Sequence, residues 1–229
     1  MMYKILTPFQ QMTLDLLFEH GLGERGYYLT GGTALSEFYL QHRYSDDLDF
    51  FTRKQEGFEA DYSLFREIML SNGLLIASQS IQSQFARFFV TRESKPDDKL
   101  KIEFARDAEA RMSPPETHGR VVIDSFEDIA VNKICAIFGR MPPESKDFCD
   151  LYFILEESSF SLEYLISRAG EKEAPFDGED GMLGLAVNLL EADNLTMLPR
   201  MIKPLSLEIL KKKMMPLGKE LLSRLRPGI

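Results

Sequence analysis

Cysteine and histidine are scarce in this sequence, and long apolar runs are missing. Cys135 and Cys149 lie in apolar, helix-like segments, which excludes a disulfide framework or a zinc knuckle and leaves two buried thiols. His20, His42 and His118 are scattered without ligand spacing, so zinc is not expected. No stretch reaches the roughly 18 consecutive apolar residues of a membrane span, and the N-terminus lacks the basic and then apolar order of a secretory signal. The expectation is a cytoplasmic protein that does not meet a membrane. Positive charge is also in deficit: 27 Lys and Arg stand against 36 Asp and Glu, a net charge of -9. Phosphate binding is driven by neutralisation with Lys and Arg, so a protein that coats nucleic acid non-specifically is excluded. What remains is a chain of 229 residues, 44% hydrophobic and 28% charged, long enough for one large core or two modest ones.

Local signals divide the chain. Thr7-Pro8 reads as an N-cap with proline in the first helical position, and Phe9, Met12 and Leu16 recur at helical spacing until His20-Gly21. Residues 27–30 are aromatic and β-branched and run into Gly31-Gly32, which predicts a strand ending in a tight turn. Helices are expected over 33–41 and 59–72, and strands over 48–52, 74–80, 85–91 and 100–104. Residues 92–99, containing Pro96-Asp97-Asp98, read as a hairpin loop. After Pro114-Pro115 and a short strand at 121–123 the pattern turns helical, with helices expected at 125–138 and about 144–156 and another capped by Ser161. Residues 170–181 read as a linker. The expected architecture is α+β: a mixed sheet flanked by helices over residues 1–123, a mostly helical region over 124–229, and an active cleft between them.

The informative block is Leu29-Thr30-Gly31-Gly32-Thr33-Ala34-Leu35 followed by Arg43-Tyr44-Ser45-Asp46-Asp47-Leu48-Asp49-Phe50. Strand side chains alternate, so Asp47 and Asp49 share one face while Leu48 and Phe50 take the other. Two neighbouring carboxylates repel each other unless a cation sits between them, and such oxygen ligands suit magnesium. Gly31 and Gly32, between a strand and a helix, let backbone amides approach a phosphate, and Thr33 adds a hydroxyl. An acidic metal site beside a phosphate-receptive turn is what nucleotidyl transfer requires. Alone, an Asp-x-Asp pair is an acidic surface and a Gly-Gly pair is a turn.

These residues resemble the AbiEii/AbiGii toxins, nucleotidyltransferase-fold proteins of bacterial abortive-infection and toxin–antitoxin systems, within the DNA polymerase beta-type superfamily. Members carry Gly-Gly-Thr-Ala-Leu and then Arg-x-Ser-x-Asp-Leu-Asp-Phe, both present here, followed by a Lys, an Arg and Lys-Asp-x-x-Asp-Leu. Those match Lys133, Arg140 and Lys146-Asp147-Phe148-Cys149-Asp150-Leu151. The resemblance implies an NTP substrate, Lys133 on the nucleotide phosphates and Asp147 as an active-site or bracing residue. The plain alternative is that Asp147 and Asp150 pair with Lys146, Arg140 or Lys133. Polymerase beta-type enzymes also supply a third carboxylate, for which Glu103 is the candidate, as metal ligand or general base. Leu100, Ile102 and Phe104 alternate against Lys101 and Glu103; Asp107 lies nearby.

The expected activity is magnesium-dependent transfer of a nucleoside monophosphate from an NTP to an acceptor hydroxyl. The expected acceptors are a tRNA 3' end first and a protein hydroxyl second, with a cognate antitoxin as partner. A small-molecule acceptor, as in antibiotic-modifying enzymes, stays open because fold does not fix substrate, as does a non-catalytic nucleotide-binding or interaction protein. Lys203, Lys211, Lys212, Lys213, Lys219, Arg224 and Arg226 form a basic C-terminal stretch, read as a solvated helix face or as a polynucleotide contact.

Overall fold

The computed structural model describes residues 4–172 and 178–225. The chain divides into two compact units: Met1–Tyr39, Ser45–Glu109 and Pro114–Ser125 make the first, and Leu40–Tyr44, Ala110–Ser113 and Phe126–Ile229 the second. Among the described residues the first unit holds one seven-stranded mixed sheet. Its strands are β1 (Tyr27–Thr30), β2 (Asp47–Thr52), β3 (Leu74–Gln82), β4 (Phe85–Arg92), β5 (Lys95–Arg106), β6 (Glu116–His118) and β7 (Val121–Ile123). They lie in the order β3-β4-β5-β2-β1-β7-β6, with β2–β5 and β1–β7 parallel and the other pairs antiparallel.

Helices α1 (Pro8–Glu19) and α3 (Phe58–Ser71) cover one face of this sheet. The start of α1 is fixed as its sequence dictates: the Gln10 amide donates to Thr7 Oγ1 at 3.2 Å, and the Thr7 amide donates back to Gln10 Oε1 at 2.9 Å. The core lies beneath these helices around the fully buried Phe104 of β5. Its ring stacks on Phe65 at 4.8 Å and on Phe50 at 5.3 Å, and meets Tyr27 edge-on at 5.9 Å. Each such pair adds roughly 0.5–1.5 kcal/mol beyond burial, which pins β5 to β2 through side chains on the core face.

Three local readings change here. The helix expected over 33–41 is a short α2 (Gly31–Ala34) that widens into a π-helical stretch, Leu35–Leu40. Within it, the Glu37 carboxylate accepts the amides of Lys4, Ile5 and Leu6 at 2.7, 2.6 and 3.0 Å. The loop expected over 92–99 is only the turn Glu93-Ser94, because Arg92 already pairs with Lys95. Pro96 sits inside β5, next to a ladder irregularity between Val90 and Arg92 where a missing donor is tolerated. Strand β6 has no run of β-branched residues to announce it and was not expected.

In the second unit α4 (Phe126–Gly139) packs against α5 (Ser145–Glu157), α6 (Leu162–Lys172) and α7 (Glu179–Leu190), while α8 (Leu207–Leu225) packs on α5 and α7. Asn188 of α7 donates to the carbonyls of Ile137 and Phe138 at 2.8 and 2.9 Å, satisfying groups that the end of α4 leaves open. Helices α7 and α8 approach closely at Gly218, where a Cβ would sit 2.9 Å from the Ala186 carbonyl oxygen. The linker expected over 170–181 is helical at 170–172 and 179–181; residues 173–177 lie outside the described residues.

Candidate active site

The sheet face opposite α1 and α3 carries the acids. Along β2 the burial alternates, with Leu48 and Phe50 buried and Asp47 and Asp49 partly exposed on the other face. Strand β5 runs parallel beside it with Lys101 opposite Asp47 and Glu103 opposite Asp49. On its other side β4 sets Arg87 opposite Glu103. One continuous row therefore reads Arg87, Glu103, Asp49, Thr30 across four strands. Asp46 precedes β2 and is exposed, as expected for a flanking residue.

The glycine turn meets this row directly. Gly31 has φ +70, a conformation that side chains rarely adopt, and a Cβ there would lie 2.5 Å from Asp49 Oδ2. Glycine is thus required both by the backbone and by the nearness of the carboxylate. Thr33 donates its hydroxyl to the Asp47 carbonyl, tying the turn to the start of β2. Behind the turn, Thr30 donates to buried Asp124 at 2.9 Å, and Tyr39 donates to the Asp124 carbonyl at 2.8 Å.

Two cations tune the acids. Lys101 Nζ lies 2.8 Å from Asp47 Oδ2 and 3.5 Å from Glu103 Oε2, and Arg87 Nε lies 2.5 Å from Glu103 Oε1. Burial pulls Lys101 down, but its bond to Asp47 and the surrounding carboxylates outweigh this and raise its pKa. Burial likewise pushes Glu103 up, yet Arg87 and Lys101 hold it below the usual carboxylate range. Neither cation was singled out from the sequence as a partner of the acids; the alternation that puts Lys101 beside Glu103 was visible, whereas Arg87 needed the β4–β5 register.

Among the described residues no three His, Cys, Asp or Glu side chains stand so as to hold a metal ion by themselves. Magnesium does not ask for that: it commonly takes one or two carboxylates and completes its shell with water and substrate phosphate. Asp47 and Asp49, on one strand face beside a turn that crowds out any side chain, fit such an ion. Lys101 supplies part of the positive charge between Asp47 and Glu103.

Lys133 and Asp147 come together in the second unit. Lys133 Nζ lies 3.2 Å from Asp147 Oδ1 and 2.7 Å from Asp150 Oδ2, and Arg140 also pairs with Asp147. Arg43 grips Asp150 through two bonds, Nε to Oδ1 at 2.6 Å and Nη2 to Oδ2 at 2.8 Å, while His42 Nε2 lies 2.7 Å from Oδ1. Burial opposes the charge on Asp150, but Lys133 and Arg43 hold its carboxyl well below the usual range. Burial pushes the His42 imidazole down despite Asp150. The Arg43–Asp150 clamp, which links two of the quoted motifs, went unseen in the sequence because it spans 107 positions. Three residues of the basic C-terminal stretch are paired with acids: Lys203 with Glu157, Lys213 with Glu156 and Arg224 with Glu163.

The family described as nucleotidyl transferase AbiEii toxin, type IV TA system, matches residues 15–221. The chain belongs to this family. The AbiEii match spans the glycine turn, the β2 acids and both partners of the Arg43–Asp150 clamp. An uncharacterized protein of Aquifex aeolicus (strain VF5), aq_aa25, is 33% identical over 141 residues, covering 61% of this chain and 62% of that curated relative. A Helicobacter pylori protein solved as a candidate nucleotidyltransferase aligns with TM-score 0.60 at 21% identity, over 96% of this chain and 97% of its own. JHP933 from Helicobacter pylori aligns with TM-score 0.57 at 20% identity, over 96% and 94%. At those identities the two structures establish a shared fold. Among the described residues no helix is long and apolar enough to cross a membrane.

Proposed function

We propose that this chain is a magnesium-dependent nucleotidyltransferase that moves a nucleoside monophosphate from an NTP to an acceptor hydroxyl, acting as the toxin of a toxin–antitoxin pair. The observation that carries this reading is the contact geometry of Gly31 with Asp49, on the same strand face as Asp47. Bound at Asp47 and Asp49, magnesium would neutralise triphosphate charge and orient the reacting oxygens. The amides of Gly31, Gly32 and Thr33 would receive phosphate oxygens, since only a residue without a side chain leaves room beside Asp49. The acceptor oxygen forms its bond to the α-phosphorus while the bond to pyrophosphate breaks. Glu103, in register with Asp49 on the same sheet face, would add a carboxylate for the cation or take the proton that the acceptor hydroxyl loses.

Lys133 and Asp147, bonded to each other and buried, support the bracing alternative over direct contact with the nucleotide. A tRNA 3' end is the first acceptor to test and a protein hydroxyl the second. An antitoxin partner follows from the type IV system that the family description names.

The deciding experiment incubates the protein with each labelled NTP, magnesium, total RNA and cell protein. One species should gain label, and Asp49→Ala should abolish both labelling and growth arrest. Growth arrest that survives Asp49→Ala, with no labelled product from either protein, would identify a non-catalytic interaction protein.

A further inference from the structure

Strand β4 breaks the pattern expected of a strand with one covered face, in which apolar residues point in and polar residues point out. Ala86, Phe88 and Val90 are buried on the core face, yet the positions on the acid face are Phe85, Arg87 and Phe89. Both of these aromatics are partly exposed, and the Arg87 side chain is 43% exposed. The Arg87 guanidinium lies over the Phe85 ring, 5.3 Å from its centroid. Beyond them the facing positions of β3 are Ser78, Ser80 and Gln82, all exposed. In a chain of net charge -9, these six positions on β3 and β4 carry no carboxylate.

Register places this stripe relative to the acids. Phe89 is in line with Lys101 and Asp47, and Arg87 is in line with Glu103 and Asp49. Strand β4 lies two strand spacings from β2, roughly 10 Å, on the side away from β1 and the Gly31 turn. In-line displacement sets the attacking oxygen opposite the leaving group. With the phosphates on the β1 side, the acceptor must arrive from the β4 side.

We infer that Phe85, Arg87 and Phe89 form the acceptor subsite, a stacking platform for the terminal bases of a single-stranded RNA. The assignment rests on nucleotidyl transfer at Asp47 and Asp49 for its direction of approach. With Arg87 bonded to Glu103, what the stripe offers is the two partly exposed rings of Phe85 and Phe89, whose π-faces stack with any base. A serine or threonine hydroxyl on a protein would use neither.

The test uses a short single-stranded RNA ending in 4-thiouridine, irradiated with the full chain in the absence of NTP. Crosslinks are expected on β4; crosslinks confined to other elements, or none, overturn the assignment. In parallel, RNA affinity is read by fluorescence anisotropy for two double variants. Phe85→Leu with Phe89→Leu keeps apolar bulk but removes stacking, and should weaken binding about tenfold; Phe85→Tyr with Phe89→Tyr should bind as the parent does. Equal affinity for the Leu and Tyr pairs overturns the platform. Because neither readout needs catalysis, a protein that crosslinks on β4 yet transfers nothing would sink nucleotidyl transfer alone. Label passing to a protein acceptor with no RNA crosslink would sink the platform alone.

Discussion

The molecule contains two clusters of acids, and they are built on opposite principles. On the sheet, Asp47, Asp49 and Glu103 are answered by two cations, Lys101 and Arg87, and the side chains of Asp47 and Glu103 keep 27% and 17% of their exposure. In the helical unit, Asp147 and Asp150 have no exposure and are answered by three cations, Arg43, Lys133 and Arg140. The first cluster is open to water, so a further cation can reach it. The second is already closed by its own partners, and its work is to hold helices and the 40–44 segment together. Acid count alone does not mark a metal site; charge balance and access do.

The largest effect should come from breaking the closed cluster. Asp150→Ala leaves Arg43 buried without its bidentate partner and Lys133 with Asp147 alone, and should cost about 3–5 kcal/mol, whereas Asp49→Ala should change stability by no more than about 1 kcal/mol. Urea unfolding of both variants checks the contrast, and similar losses would erase the distinction. Next comes Gly31→Ala, which forces a side chain into a left-handed backbone and against Asp49. It should cost about 1–2 kcal/mol and weaken magnesium-dependent NTP binding by calorimetry; unchanged binding would mean that the turn and the acid are independent.

A smaller effect is set by His42, whose folded pKa is depressed below its ordinary value of 6.5. The unfolded chain takes up a proton there that the buried imidazole refuses, so its stabilising contribution is full above pH 6.5 and declines as pH falls below it. Stability should fall as pH drops below that value. Urea midpoints across this range should show the slope, and His42→Gln should flatten it. Smallest is Lys101→Met, which removes a competitor from Asp47 and should tighten magnesium binding to the nucleotide-free protein about fivefold. Weaker binding on calorimetry would show that Lys101 supports the cation instead of competing with it.

Much of the sheet was legible because its signals are local. Alternation over Asp47, Leu48, Asp49 and Phe50 fixed which acids share a face, and the same period placed Glu103 and Lys101 together on β5. Thr7-Pro8 marked the start of α1 because a cap is a matter of adjacent residues. What local pattern cannot carry is pairing across the chain. Arg43 and Asp150 read separately as a motif residue and a helix acid, and only the fold joins them. The partners of the basic C-terminal stretch were hidden for the same reason, since Glu156, Glu157 and Glu163 reach Lys213, Lys203 and Arg224 from other helices. The hairpin turn was misplaced because Pro96-Asp97-Asp98 has turn composition, while the strand continues past an irregularity that no composition announces.

The parallel match of β2 with β5 also dictates where the chain can change length. Residues may be gained or lost in the turns between these strands, since the ends that matter are fixed by pairing. Removing one residue from β5 ahead of Glu103 would swap the two sides of the strand, sending the acid toward Phe65 and Tyr27 and turning Phe104 out to water. A single-codon deletion there should therefore do more harm than the loss of several residues from a turn, and the reading frame of this strand is as much a part of the active site as any side chain in it.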